Sequence, residues 1–197
     1  MDETTLTPEE SLLLITKVIE ETKLRFKENG HILILWGTLI FTVMVSQYIL
    51  VLLGWYKLFD IAWTCILFPL GAIYTFVYAR KKYKKNNVPR TIIGNIIGTM
   101  GWVIGLNLPI LGFLFRNKLG EAAAPVFLIL WALFLILTGI SIKFKPILIG
   151  GILLNLMGFA AFYINGEYHG LILAAGGVIG MIIPGILLNR ANRNEHV

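Results

Sequence analysis

The nearest thing to an acid–base pair in this sequence is Glu167 and His169, two residues apart in NGEYHG (Asn165–Gly170). A carboxylate beside an imidazole serves general acid–base chemistry and, with a hydroxyl or thiol, nucleophilic catalysis. No third member is in view. Ser11, Ser46 and Ser141 have no base near them in the sequence, and neither a GxSxG elbow nor an HExxH zinc helix occurs. His31 and His196 lie in other segments, and Cys65 is the single cysteine, so neither an intramolecular disulfide nor a thiolate cluster can form within one chain. Asn165-Gly166 is a turn dipeptide, so a hydrated loop is the expected setting for Glu167 and His169. The residues predict no catalytic, cofactor-binding or metal site, and a protein that is not an enzyme.

The elements that carry these residues are set by charge. No Asp, Glu, Lys, Arg or His occurs in Ile32–Tyr56, Ile61–Ala79, Thr91–Phe115, Ala122–Ile142, Pro146–Gly166 or Gly170–Asn189. About 20 such residues cross ~30 Å of hydrocarbon as a helix. Six windows of that kind exceed what a 197-residue soluble core can bury, and at these lengths helices are the only spanning element. The fold expected is an all-α polytopic membrane bundle. A cytoplasmic amphipathic helix occupies 1–30 and a six-span domain 31–189, with spans at about 32–53, 58–79, 91–115, 122–142, 147–164 and 171–188. A cytoplasmic tail, 190–197, follows. The acidic start MDETTLTPEE has no basic region, so a cleavable signal peptide is not expected.

Orientation follows from the basic residues of the short loops. With the amino terminus inside, the inner side holds Lys17, Lys23, Arg25, Lys27, Arg80, Lys81, Lys82, Lys84, Lys85, Arg90, Lys143, Lys145, Arg190 and Arg193. The outer side holds Lys57, Arg116 and Lys118. Both termini are therefore expected in the cytoplasm, and the net charge of +6 has a topological origin rather than a nucleic-acid partner. Arg80, Lys81, Lys82, Lys84, Lys85 and Arg90 anchor the second and third spans and are the candidate contact for anionic lipid headgroups.

At the amino end, Thr7 is an N-cap, Pro8 opens the helix and Glu10 completes a capping box. Leu12, Ile15, Ile19 and Phe26 form one apolar stripe, while Glu20, Glu21 and Glu28 alternate with Lys17, Lys23 and Arg25. A helix held on lipid by charge has a mainly basic polar face. The mixed face here points to protein contact instead, through residues 8–28, with a partner or in a homo-oligomer.

Glycine and proline inside the spans carry a second signal. Gly94 and Gly98, Gly101 and Gly105, and Gly176 and Gly180 are each four apart, and Pro109 and Pro184 follow four residues beyond Gly105 and Gly180. Small residues let helices approach in lipid, and a proline frees a carbonyl and kinks the helix. Gly101–Pro109 and Gly176–Pro184 share Gly-x-Val-Ile-Gly-x-x-x-Pro. These copies fall in spans of opposite direction, the pattern of inverted three-helix halves in transporters. Every carboxylate lies outside the charge-free windows, Asp60 at the margin of the second span included, so a charged substrate has no counter-ion within them. If a solute path exists, Asn95, Asn107, Asn155, Trp102 and Trp131 are its candidate lining, and its solute is neutral or weakly polar.

The residues Glu10, Ser11 and Leu12, followed by Leu35, Trp36 and Gly37, resemble the start of a group of small polytopic bacterial inner-membrane proteins. In that group an acidic Glu-Ser-Leu helix leads to a Leu-x-Trp-Gly first span. The likeness covers about the first fifth of the chain; it implies a bacterial inner-membrane location and transfers no catalytic residue. The hairpin LIGGILLNLMGF (Leu148–Phe159) is loosely similar to that of six-span acid-resistance membrane proteins. The function expected is an assembly, sensory or stress-related factor acting through helix packing. The alternative is a facilitator of a small neutral or lipophilic solute.

Overall fold

The computed structural model describes residues 7–14, 16, 30–54, 68–85 and 92–194, and all regular structure among them is helical. In chain order the apolar part of the chain contains α1 (Gly30–Leu52), α2 (Phe68–Lys85), α3 (Ile92–Leu114), α4 (Ala123–Ser141) and α5 (Lys145–Ala161). The last stretch is a composite rod of α6 (His169–Gly177), a π-helical segment (Val178–Ile182) and α7 (Ile183–Asn194). Four described stretches are long and apolar enough to cross a membrane: Gly30–Leu52, Gly94–Gly112, Gly120–Ser141 and Gly166–Ala191. Lys145–Ala161 is apolar but shorter, because the chain turns at Phe162 and leaves Tyr163 93% exposed. The first half of the expected second span, with Thr64 and Cys65, lies outside the described residues, as do Ile15, Ile19 and Phe26 of the amino-terminal stripe.

Local chemistry explains where several of these helices begin and end. The capping box forms: the Thr7 amide donates to Glu10 Oε2 at 2.9 Å and the Glu10 amide to Thr7 Oγ1 at 3.3 Å. The bond from the Thr7 amide first, and one from the Thr7 hydroxyl to Glu10 Oε2 at 3.0 Å second, hold the Glu10 carboxyl below the usual carboxylate range. Leu12, Leu13 and Leu14, which follow, are all exposed. Gly54, at φ +76°, receives the chain as α1 ends, a backbone that costs glycine nothing. The α4–α5 turn is a Schellman motif. Phe144 N–H donates to Gly139 O at 3.0 Å and Lys143 N–H to Ile140 O at 3.1 Å, with Lys143 itself left-handed at φ 53°. Phe144 is then extended, and Pro146 in the first turn starts α5.

The helices pack through glycine. Along the α4–α5 hairpin, methyl groups built on Gly139, Gly151 and Gly158 would lie 2.5 Å from Leu148 N, 2.8 Å from Ile136 N and 2.7 Å from Ile129 Cγ1. The two backbones therefore run antiparallel in contact. The composite rod lies antiparallel to α1 and alongside α4 and α5, where Gly176 and Gly180 receive Leu128 and Leu135 of α4 and Leu154 of α5. α3 borders α4, with Gly101 against Phe134 and Gly112 against Phe127. α2 joins α1 through Trp36 Nε1–H, which donates to Thr75 Oγ1 at 3.0 Å; that hydroxyl donates to Gly71 O at 2.8 Å. Phe76 of α2 meets Trp102 of α3 edge to face, with centroids 6.2 Å apart. The core is Leu128, Ala132, Leu135, Ile147, Leu154, Met181 and Leu188 with their neighbours, and it is apolar.

Candidate functional site

The densest concentration of unusual backbone is on the last span. Gly170, Gly177 and Gly185 face Met44, Gly37 and Gly30 of α1 in antiparallel order. A methyl on Gly37 would lie 2.9 Å from Gly177 O, and one on Gly177 would lie 3.1 Å from Gly37 O. A methyl on Gly30 would collide with the Asn189 side chain and stand 2.7 Å from Gly185 O. The positions on α1 are seven apart, 30, 37 and 44. Those on the last span are seven and then eight apart, 170, 177 and 185.

Eight residues of α-helix overshoot two turns by about 80°, whereas seven fall short by only about 20°. A regular helix would thus turn Gly185 away from Gly30. The π segment absorbs the extra residue. Ile183 N–H bonds to Val178 O, five residues back, rather than to Ile179 O. The five-residue turn restores a seven-residue register to an eight-residue stretch, and Gly185 returns to the α1 face.

Pro184 compounds the effect. It is fully buried, and its ring Cγ would be 3.1 Å from a methyl on Gly150. It has no N–H for Gly180 O, its ordinary partner four residues back. Two successive carbonyls, Ile179 and Gly180, therefore lack their α-helical donors. A methyl on Gly150 would stand 3.1 Å from Ile179 O, so only glycine allows α5 to lie this close to the interrupted turn.

The sequence-selected polar residues are not gathered at one place. Asn95, Trp102 and Asn107 are exposed on α3, and Asn155 of α5 and Trp131 of α4 are half-buried. Asn107 Nδ2 donates to Val103 O of its own helix at 2.7 Å, so this amide is satisfied without a neighbour. Among the described residues, Trp131 Nε1 and Thr138 Oγ1, two turns apart on α4, are buried without a hydrogen-bond partner. Gly98 and Gly105 have open space where a side chain would project, and Gly94 is half-buried. Pro109 sits inside α3 with regular helix on either side, whereas Pro184 follows the π segment. The two copies of Gly-x-Val-Ile-Gly-x-x-x-Pro thus occupy different environments. Gly176 and Gly180 are packed against leucines, whereas Gly101 meets the Phe134 ring and Gly105 is open.

The turn between α5 and α6 corrects the expectation of a hydrated histidine. His169 is 8% exposed, and its Nε2 lies 3.0 Å from both Ala161 O and Ile164 O. Carbonyls only accept, so Nε2 carries the proton and ties down the end of α5. That nitrogen is committed to structure rather than free to act as a base. Glu167 remains exposed. It lines an open cleft of about 490 Å³ with Glu121, Asn165 and His169. Among the described residues, no group of three His, Cys, Asp or Glu side chains is arranged to hold a metal ion.

At its basic end, α2 continues as helix through Lys85, so Lys82, Lys84 and Lys85 extend it past the apolar run, while Arg90 lies outside the described residues. Arg80 and Lys81 are exposed, and the Arg80 guanidinium stacks over Phe76 at 4.9 Å from the ring centroid.

The glycines lying closest to a neighbouring backbone, Gly30, Gly37, Gly139, Gly150, Gly151, Gly158, Gly177 and Gly185, were not selected by the four-residue spacing, whereas Gly176, where a built methyl would meet the Leu154 side chain at 2.7 Å, was. The seven-residue steps at 30–37 and 170–177 were the readable sign of the α1 seam. Comparison with family models, curated proteins and solved structures finds no match to this chain.

Proposed function

We propose that this is a six-span protein of the bacterial inner membrane with both termini in the cytoplasm. It acts without catalysis, through helix packing, as an assembly, sensory or stress-related factor. The observation that carries this reading is the glycine-seamed apolar core, flanked at the amino end by a capped helix with Leu12, Leu13 and Leu14 exposed. Polar side chains of α3 face outward rather than toward a shared interior. A helix start with exposed leucines outside the apolar spans is suited to a protein partner or a second copy. The basic end of α2 is the contact for anionic headgroups, with Arg80 oriented by Phe76. The start of the chain resembles small bacterial inner-membrane proteins with a Glu-Ser-Leu helix, which supports the location.

The test compares the full chain with a variant lacking residues 1–28, both reconstituted in lipid vesicles. Chemical cross-linking of the full chain to itself or to a co-purified partner is expected, with loss of the cross-link in the truncation. Neither form is expected to pass glycerol or urea faster than empty vesicles. Solute flux through both forms would overturn the packing role.

One observation favours the alternative, a facilitator of a small neutral or lipophilic solute built from inverted three-helix halves. The unpartnered Trp131 Nε1 and Thr138 Oγ1 are polar atoms facing an otherwise apolar interior. Under that reading, Thr138→Val lowers flux, and under the packing reading there is no flux to lower.

A further inference from the structure

We propose that the last span is a hinged helix whose cytoplasmic half, Ile183–Asn194, swings as a unit about the π segment and Pro184, docking on and releasing from the start of α1. Bending a regular helix in lipid breaks backbone hydrogen bonds that no water replaces. Here the bonds that a bend would break are already gone. Ile183 N–H is diverted to Val178 O, and Gly180 O faces a residue with no N–H.

The halves on either side are held separately. Gly170 and Gly177 fasten α6 to Met44 and Gly37, and Gly185 fastens α7 to Gly30. Gly150 supplies the fulcrum, where only a hydrogen faces Ile179 O and the Pro184 ring. The released contact is Gly30 against Gly185 and Asn189, at the end of α1 that joins the amino-terminal segment. Rotation in register is not the movement. Losing the π turn with all residues retained would bring Pro184 to the place of Gly185, where Gly30 leaves no room for a ring. Resting on the packing reading above, this docking contact is where an event at residues 8–28 reaches the membrane domain. The hinge itself is testable with no partner present.

The experiment is hydrogen exchange by mass spectrometry on the full chain in lipid nanodiscs. It reads amides of α7 against those of α6. In the natural protein α7 is expected to exchange at least about tenfold faster than α6. A straightened variant, deletion of Ile179 combined with Pro184→Ala, keeps the glycine spacing at seven throughout, and the ratio should fall to near one. Gly30→Ala, which blocks docking, should raise α7 exchange further and leave α6 unchanged. Deletion of Leu173 shortens the Gly170–Gly177 step to six and should break the seam. Folding of that variant as stable as the straightened one would overturn the register on which the hinge rests. Equal exchange in the two halves of the natural protein, or an unchanged ratio in the straightened variant, overturns the hinge. If straightening prevents folding, Pro184→Ala alone returns a donor to Gly180 O and should lower the ratio partway, and no change there also overturns it. Failure of the truncation to lose cross-linking would count against the partner reading and leave these ratios untouched.

Discussion

A glycine is only as important as what stands opposite its missing side chain. Gly37 meets Gly177 O, Met181 and Ile182 inside 3 Å of a built methyl, whereas Gly98 meets open space. Gly37→Ala is therefore expected to cost about 1–3 kcal/mol through overpacking. Gly98→Ala should be neutral or stabilising by up to about 1 kcal/mol, since alanine is the better helix former. Thermal unfolding in mild detergent separates the two. His169→Ala removes the imidazole donor from Ala161 O, which keeps the Ile164 amide at 3.3 Å, and from Ile164 O, and should cost about 1–3 kcal/mol by the same assay. Lys143 adopts a left-handed backbone that glycine occupies freely. Lys143→Gly should accordingly stabilise the α4–α5 turn by about 1 kcal/mol. A neutral or destabilising result would mean that the lysine contributes something beyond its backbone.

Among the elements, the amino-terminal helix has a pH dependence whose sign follows from its cap. The Glu10 carboxyl is held below its usual range by bonds from Thr7, so its ionised form supports the folded helix start. That support is complete above the ordinary carboxylate value and is lost as pH falls through the depressed one. Circular dichroism of a peptide covering 1–28 should show helicity falling on acidification below about pH 4, and Glu10→Gln should flatten the response. An unchanged acid transition in the variant would remove the cap from the explanation. The composite last span shows how one element's irregularity serves another's regularity. The seven-residue steps of α1 are met by an eight-residue step only because the π turn takes up one residue.

At the scale of the whole molecule, lipid and backbone hydrogen bonding explain what was readable in advance. Runs without a charged side chain must be helical in hydrocarbon, and short connections make successive helices antiparallel neighbours. The capping box at Thr7 and Glu10 was equally legible, because a cap is made by residues three apart. The proline interruptions at 109 and 184 were visible, yet only the one beside a π segment lies against the α5 backbone. A helix apolar all round carries no stripe to say which side faces inward, so rotation about each axis was left to packing. That rotation turned Asn95 and Asn107 outward, seated Gly30 and Gly37 on Gly185 and Gly177, and buried His169 beneath the end of α5. The order of residues determined the solvent, the rods and their local ends, since those depend on neighbours along the chain. Which faces touch, and where the last rod is interrupted to make them touch, was decided by distant segments competing for the same few ångströms.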